Sequence, residues 1–434
     1  MSDGGPGSDL GGETPARIAT PARRPALEDR SDAADEPTRP LSMRGALRRR
    51  WDALTGPGKP ATEVTSPPTR LGYQPVLDGL RAIAVALVVL FHALPNQFRG
   101  GWVGVDIFFA LSGFLITTLL ILERKDSGRV SLGQFYLRRI ARLMPAFFVM
   151  IILYVAITMV TKTGAARTDV LHTAWLTVTY RANLVGNPDA THGLGHMWSL
   201  ALEEQFYVVW PLLLVVVTAV WRRALPWLTA TGILGCIVWR GVLIHDHASL
   251  VRLYYRPDTR VDSLLIGCLA GQLFVSGFLD RRRIRSWMVW ACLVGFAVLA
   301  MTTRWDHIAT FVIGFPLIGV AASVMIVGSV VAPPPAVRRV LSTSPFLALG
   351  RLSYSLYLWH LPVLLFMADT LHLGRALVAG VGIPLSLAVA AASYLLVEQP
   401  FLALKDRALH RRASATRRSP VSGGQALPAD ALGP

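Results

Sequence analysis

The sequence predicts an all-α integral membrane protein of about ten transmembrane helices behind a disordered cytoplasmic N-terminal tail. Three observations carry that prediction. Of 434 residues, 53% are hydrophobic and only 16% are charged, with a mean hydropathy of +0.45, whereas a soluble chain carries roughly a quarter charged residues. The apolar residues fall in blocks of about 17–25, the length that crosses ~30 Å of hydrocarbon as helix. The 43 Lys+Arg against 27 Asp+Glu, a formal charge of +16, cluster between those blocks, which argues for membrane topology and against a nucleic-acid partner.

Residues 1–72 are rich in Pro, Gly, Asp, Arg and Ser, have no apolar period, and read as the disordered tail. Inside it, MRGALRRRWDAL (43–54) sets Leu47, Trp51 and Leu54 at helical spacing among Arg44, Arg48, Arg49 and Arg50. That is the pattern of a short basic helix on an anionic leaflet, or of a solvated basic run. No apolar signal-peptide core lies near the first residues. Residues 73–400 form the membrane domain, with spans near 76–94, 102–122, 145–161, 197–220, 226–244, 260–277, 286–301, 308–331, 346–367 and 376–397. Residues 163–195, interrupted by His172, Arg181 and Asn183, read as an outer-face or partly re-entrant helix. Residues 401–434 form a basic, disordered cytoplasmic tail.

Charge fixes the expected orientation. With ten spans and both termini in the cytoplasm of a plasma-membrane protein, about 31 of the 43 Lys+Arg lie inside and roughly 8 outside, as the positive-inside rule requires. An eleventh span would turn the later arginine loops outward. Cys236, Cys268 and Cys292 sit in apolar blocks without metal-ligand spacing, so neither a disulfide framework nor a metal site is expected.

An ionisable side chain inside a span costs several kcal/mol unless paired or wet, so each marks a candidate site. The first span, LDGLRAIAVALVVLFH, holds Asp78, Arg81 and His92. Eleven residues at about 100° each are close to three turns, so Arg81 and His92 share a face about 16 Å apart. The fourth span opens HMWSLALEEQFYVVWP, where His196, Ser199, Glu203, Tyr207 and Trp210 follow one stripe and Glu204 turns away from it. At least one of the two carboxylates must meet a cation, water or a histidine. Asp106, Arg240, Arg260, Asp262, Arg351, Tyr354, Tyr357 and His360 are further buried candidates, and Arg138, Arg139 and Arg142 form a phosphate-type arginine face just before the third span.

Taken in order, LDGLRAIAVALVVLFH, GWVGVDIFFALSGFLIT, FYLRRIARLMPAF, HMWSLALEEQFYVVWP, TRVDSLLIGCLAG and LGRLSYSLYLWHLPV resemble the membrane-bound acyltransferase-3 family over about residues 73–400. The resemblance implies a bacterial integral-membrane O-acyltransferase. It maps the family's Arg-x10-His pair onto Arg81 and His92, its donor-side arginines onto Arg138, Arg139 and Arg142, and its Glu-Glu-Gln-Phe-Tyr run onto Glu203–Tyr207, with Glu204 favoured as the functional carboxylate. Two departures stand out. Many relatives carry a second, SGNH hydrolase-like domain, for which the roughly 35 residues after Glu398 are too few, and relatives often have Tyr where Trp210 stands.

Residues and resemblance together give one expected mechanism. An acyl group, acetyl in the simplest case, moves from cytoplasmic acyl-CoA, a co-substrate and not a bound cofactor, to a hydroxyl of an extracytoplasmic carbohydrate, lipid or secondary metabolite. His92, Glu203 and Glu204 are the expected catalytic residues, with either glutamate orienting the imidazole. Arg81, Arg138, Arg139, Arg142, Asp78, Tyr207, Arg260 and His360 are the expected binding residues. The rival reading is a proton-coupled transporter or flippase using the same buried groups. Repeated halves and matched pairs of broken spans, which would favour it, are not evident in the sequence.

Overall fold

A computed structural model describes residues 43–56, 68–185 and 193–405. The chain divides into a unit of residues 1–46, described only over 43–46, and a unit of residues 47–434 that holds everything below. Every regular element among the described residues is helical: α1 (Met43–Thr55), α2 (Pro75–Ala93), α3 (Val103–Ser127), α4 (Leu132–Thr161), α5 (Ala165–Val178), α6 (Met197–Val220), α7 (Ala224–His245), α8 (Leu250–Tyr255), α9 (Pro257–Arg260), α10 (Asp262–Val275), α11 (Ser286–Thr302), α12 (Phe315–Val331), α13 (Pro335–Leu341), α14 (Ser344–Leu365) and α15 (Arg375–Ser393). Wider π-turns occupy Thr310–Gly314, Phe366–Thr370 and Tyr394–Glu398.

Each expected apolar block falls on a helix. Seven helices among the described residues are long and apolar enough to cross a membrane by themselves: Pro75–Ala93, Val103–Ser127, Leu132–Thr161, Met197–Val220, Ala224–His245, Thr310–Val331 and Arg375–Lys405. α10 and α11 are apolar but have only 14 and 17 residues. α14 has 22, but Arg351, Ser353, Tyr354, Tyr357 and His360 dilute its hydropathy. α5, in the segment expected to lie on the outer face or re-enter, has 14 residues and runs into a single turn at Ala182–Leu184.

The interior is built on close helix contacts. α3 packs on α10, and α2 on α14. A Cβ added at Gly113 would lie 2.1 Å from the Leu264 carbonyl oxygen, and one at Gly350 would lie 2.0 Å from that of Asp78. Small residues let such backbones touch, and packing replaces the hydrophobic drive that lipid does not supply. Near the N-terminal ends of α3 and α10, Arg260 pairs with Asp106 at 3.1 Å and Arg240 with Asp262 at 2.8 Å, all four side chains fully buried. Apolar side chains such as Val160, Val220 and Trp227, 83%, 84% and 76% exposed, cover the outside, as a lipid-facing surface requires.

Helix α1 departs from expectation. It lies in the segment read as a disordered tail, where a short basic helix was one of two alternatives, and it is helical but seated on the bundle from Leu47 onward. Leu54 is buried, the Arg50 guanidinium donates to the Leu395 carbonyl at 3.0 Å, and Gln399 donates to the Arg50 carbonyl at 3.4 Å. Arg351 of α14 donates to the carbonyls of Ala53 and Leu54 at 2.6 and 2.8 Å. It thereby satisfies acceptors that the end of a helix leaves open. The buried face runs through Leu47, Arg50 and Leu54 and leaves Trp51 outside, so the spacing of Leu47, Trp51 and Leu54 is not the docking stripe. The rest of the 1–72 segment, apart from 68–72, and the tail beyond Lys405 lie outside the described residues.

Candidate functional site

The second-last residue of α2, His92, meets α14 at His360. Carbonyl oxygens only accept, so the contacts fix the tautomers. His360 Nδ1 lies 2.8 Å from the Tyr357 carbonyl and 3.1 Å from that of Leu356 and must carry its proton. Its Nε2 is then an acceptor, 3.3 Å from His92 Nδ1. His92 Nδ1 also lies 2.9 Å from the Val88 carbonyl, one turn back on its own helix, so it too carries the proton. The His92 Nε2 is left with its lone pair free, and no described residue donates to it.

His196, at the start of α6, completes a three-ring cluster, its ring centroid 5.0 Å from that of His360. The Tyr357 hydroxyl donates to the His196 carbonyl at 2.8 Å and shares a 2.5 Å hydrogen bond with Ser199. His92 and His196 line a cavity of about 750 Å³ whose walls include Trp102, Trp198, Tyr254 and Trp359. That is the size and lining of a small-molecule site with a few polar groups placed in an apolar wall.

Further along α2, about 16 Å from His92 at the helical rise, Arg81 enters a second cluster. Its charged neighbours are Arg142, Asp78, Glu203 and Glu398, and those of Arg139 are Glu204, Glu203, Arg142 and Arg81. Arg139 lies over the Tyr207 ring, 3.0 Å from its centroid. Tyr207 donates to Ser112 at 2.8 Å, and Ser112 donates to Glu203. Arg81 and Arg139 keep Nε buried without a partner, as Glu204 does one carboxylate oxygen. Arg81, Arg139 and Arg142 make no hydrogen bond to a described residue. Three guanidinium groups without protein acceptors, converging on one place, suit an anion.

The structure thus brings Arg81, Arg139, Arg142, Asp78, Glu203, Glu204 and Tyr207 to one end and His92 and His360 to the other. Arg138 is exposed at the start of α4 and donates to Gln134 at 3.3 Å. Three expectations are revised. Glu203 and Glu204 sit with the arginines, and the imidazole of His92 is oriented instead by His360 and the Val88 carbonyl. Asp78, expected to bind substrate, accepts from Tyr73 at 2.9 Å and is an electrostatic neighbour of Arg81. Arg260, expected to bind substrate, is fully buried against Asp106, with Phe315 3.5 Å beneath its guanidinium. It belongs to the wall behind the cavity. Trp210 donates to Thr117 at 2.8 Å, so its polar atom is already in use.

Sequence reading missed Glu398 and Ser355. Ser355 donates to the buried Glu398, which neighbours Arg142 and Arg81. The signal was a carboxylate directly after an apolar block, where it reads as the block's polar edge. Among the described residues no group of three or more His, Cys, Asp or Glu side chains could hold a metal.

This arrangement belongs to a recognisable class. The chain is a member of the acyltransferase-3 family, whose model, described as an acyltransferase domain, matches residues 75–395. It is similar to the "O-acetyltransferase OatA" of Staphylococcus aureus strain NCTC 8325 / PS 47, 32% identical over 76% of this chain and 57% of that protein. It is also similar to the "Putative O-acetyltransferase SAR0937" of S. aureus strain MRSA252, 31% identical over 80% of this chain and 60% of that protein. A third relative is the "Putative peptidoglycan O-acetyltransferase YrhL" of Bacillus subtilis strain 168, 31% identical over 78% of this chain and 56% of that protein. The chain therefore spans well under two thirds of the length of these relatives. No solved structure matches it.

Proposed function

We propose that this chain is a plasma-membrane O-acyltransferase that moves an acetyl group from cytoplasmic acetyl-CoA to a hydroxyl of an extracytoplasmic glycan or related compound. The observation that carries the reading is the relation of two sites on one helix. A histidine with a free Nε2 faces a cavity at one end of α2, and three arginines without a hydrogen bond to a described residue gather about 16 Å away at the other.

In this reading α10, α11 and α14 complete ten spans with the seven longer helices, both termini are cytoplasmic, and the arginine end faces the cytoplasm. The donor's phosphates meet Arg142 and Arg138 at the mouth, with Arg139 and Arg81 deeper. Glu203, Glu204, Glu398 and Asp78 balance the buried guanidinium groups, so they can remain charged in a dry site. About 16 Å is the reach of an extended pantetheine arm, which brings the thioester to His92. There Nε2 takes the proton of the acceptor hydroxyl as its oxygen attacks the thioester carbonyl. The carbon–sulfur bond breaks, and the proton passes to the departing thiolate. If the acyl group rests first on the imidazole, the same lone pair is the nucleophile.

The test is transfer of radiolabelled acetyl from acetyl-CoA in inverted membrane vesicles. His92→Ala is expected to lower it by about a hundredfold or more. Undiminished transfer would overturn the reading.

A further inference from the structure

The cavity above His92 is not walled by protein on every side. Two of its lining residues, Ile157 of α4 and Leu385 of α15, belong to stripes that face out of the bundle. On α4 the stripe is Leu153, Ile157 and Val160, 45%, 44% and 83% exposed; on α15 it is Leu377, Val381 and Leu385, 54%, 51% and 43% exposed. At 3.6 residues per turn each set is one helical face. The same two side chains therefore edge the cavity and the outer apolar surface.

The helices meet below that level. Val389 packs on the cluster that holds Phe147 and Met150 of α4, and α4 also packs against the turn Tyr394–Glu398. α4 thus meets the turn that follows α15 towards the arginine end, and α14 packs against both helices. In the topology proposed above, His92, one residue from the end of α2, lies towards the outer leaflet. A gap of this kind between apolar faces is filled by lipid in a membrane.

We propose that the acceptor enters sideways, from the bilayer through the opening between α4 and α15, and is a hydroxyl compound carried on a membrane-embedded chain. This rests on the acyltransferase reading above and narrows its acceptor. The chain of the acceptor lies between Ile157 and Leu385. Its polar head turns into the cavity, where Lys162 and Asp369 are the formally charged members of the described lining and His92 receives the hydroxyl.

The test pulses inverted membrane vesicles of the source organism briefly with radiolabelled acetyl-CoA and partitions the His92-dependent label. One fraction is a chloroform–methanol extract, the other the aqueous and polymer residue. The label is expected in the organic extract. It should fall about tenfold in Ile157→Trp and in Leu385→Trp, which fill the opening, and stay within about twofold of wild type in Val220→Trp, an outward-facing site outside the cavity lining. All three sites face outward, so the Trp variants should retain the wild-type level and detergent elution profile. Label confined to the aqueous and polymer fraction overturns the proposal, as does organic label undiminished by either Ile157→Trp or Leu385→Trp. A lack of any His92-dependent label would count against the acyltransferase reading itself.

Discussion

Nε2 of His360 lies 3.3 Å from Nδ1 of His92, and each ring also gives its Nδ1 proton to a helix carbonyl within one turn. The pair is thereby locked in one tautomeric arrangement, with a single lone pair left over at His92 Nε2. His360→Phe removes the acceptor without removing the His92 ring. Losing one neutral hydrogen bond of about 1.4 kcal/mol corresponds to roughly a tenfold loss of kcat. His360→Gln, whose amide oxygen can still accept, should recover part of it, with the KM for acetyl-CoA unchanged in both. Equal loss in both variants would reduce His360 to packing.

The arginines of the second cluster should separate by depth. Arg142→Gln, at the exposed mouth, is expected to raise the KM for acetyl-CoA about tenfold with little change in kcat, because it removes binding shared by ground and transition states. Arg81→Gln, deeper and on the helix of His92, should cost about a hundredfold in kcat/KM. Steady-state kinetics in proteoliposomes distinguishes the two.

Arg260 should behave as a structural residue. Arg260→Met strands the buried Asp106 carboxylate, a loss of about 3–5 kcal/mol, read as a lower unfolding temperature in detergent. Adding Asp106→Leu should recover part of that loss. The KM for acetyl-CoA of whatever protein folds should match wild type; a large rise would return Arg260 to the donor site.

The α2–α14 contact sets the histidine pair. Gly350→Ala places a Cβ 2.0 Å from the Asp78 carbonyl oxygen, too close for backbone to accept. Forcing the helices apart should cost about 1–3 kcal/mol and lower transfer, whereas Gly235→Ala, which would meet nothing within 4 Å, should leave both unchanged. Thermal stability and acetyl transfer measured together check this.

Docking of α1 depends on Arg351. Arg351→Ala leaves the Ala53 and Leu54 carbonyls without their donor, a loss of about 1.5–3 kcal/mol for a charged hydrogen-bonding group. Hydrogen exchange across residues 47–55 should then accelerate well beyond that of α14. Unchanged protection would mean that Leu54 and Arg50 hold the helix by themselves.

Much of this was open to a reader of the sequence. The length of the apolar blocks demands helices, since only helices satisfy their own backbone in hydrocarbon, and the 3.6-residue repeat puts Arg81 and His92 on one face. The repeat says nothing about which helix that face meets. His360 lies 268 positions from His92, and its part in orienting the imidazole became visible only when α14 packed on α2. Glu203 and Glu204 were legible as buried acids, but their partner was not, because Arg139 and Arg81 come from two other helices. Arg260 looked like Arg81 in sequence and differs in its hydrogen-bonded pair with Asp106 and its seat on Phe315.

The sequence by itself determined that this chain is a helical membrane protein, that its few ionisable residues are concentrated, and that it resembles acyltransferases. The first two follow from local physics, hydrophobic length, helical period and the cost of charge in lipid, and the third rests on six motifs met in order. Only the tertiary structure decided which carboxylate meets which arginine, that α1 is docked, that a histidine orients a histidine, and that the cavity above them opens between α4 and α15. Those depend on contacts between helices tens to hundreds of residues apart, set by small residues and packed side chains whose pairing no single helix encodes.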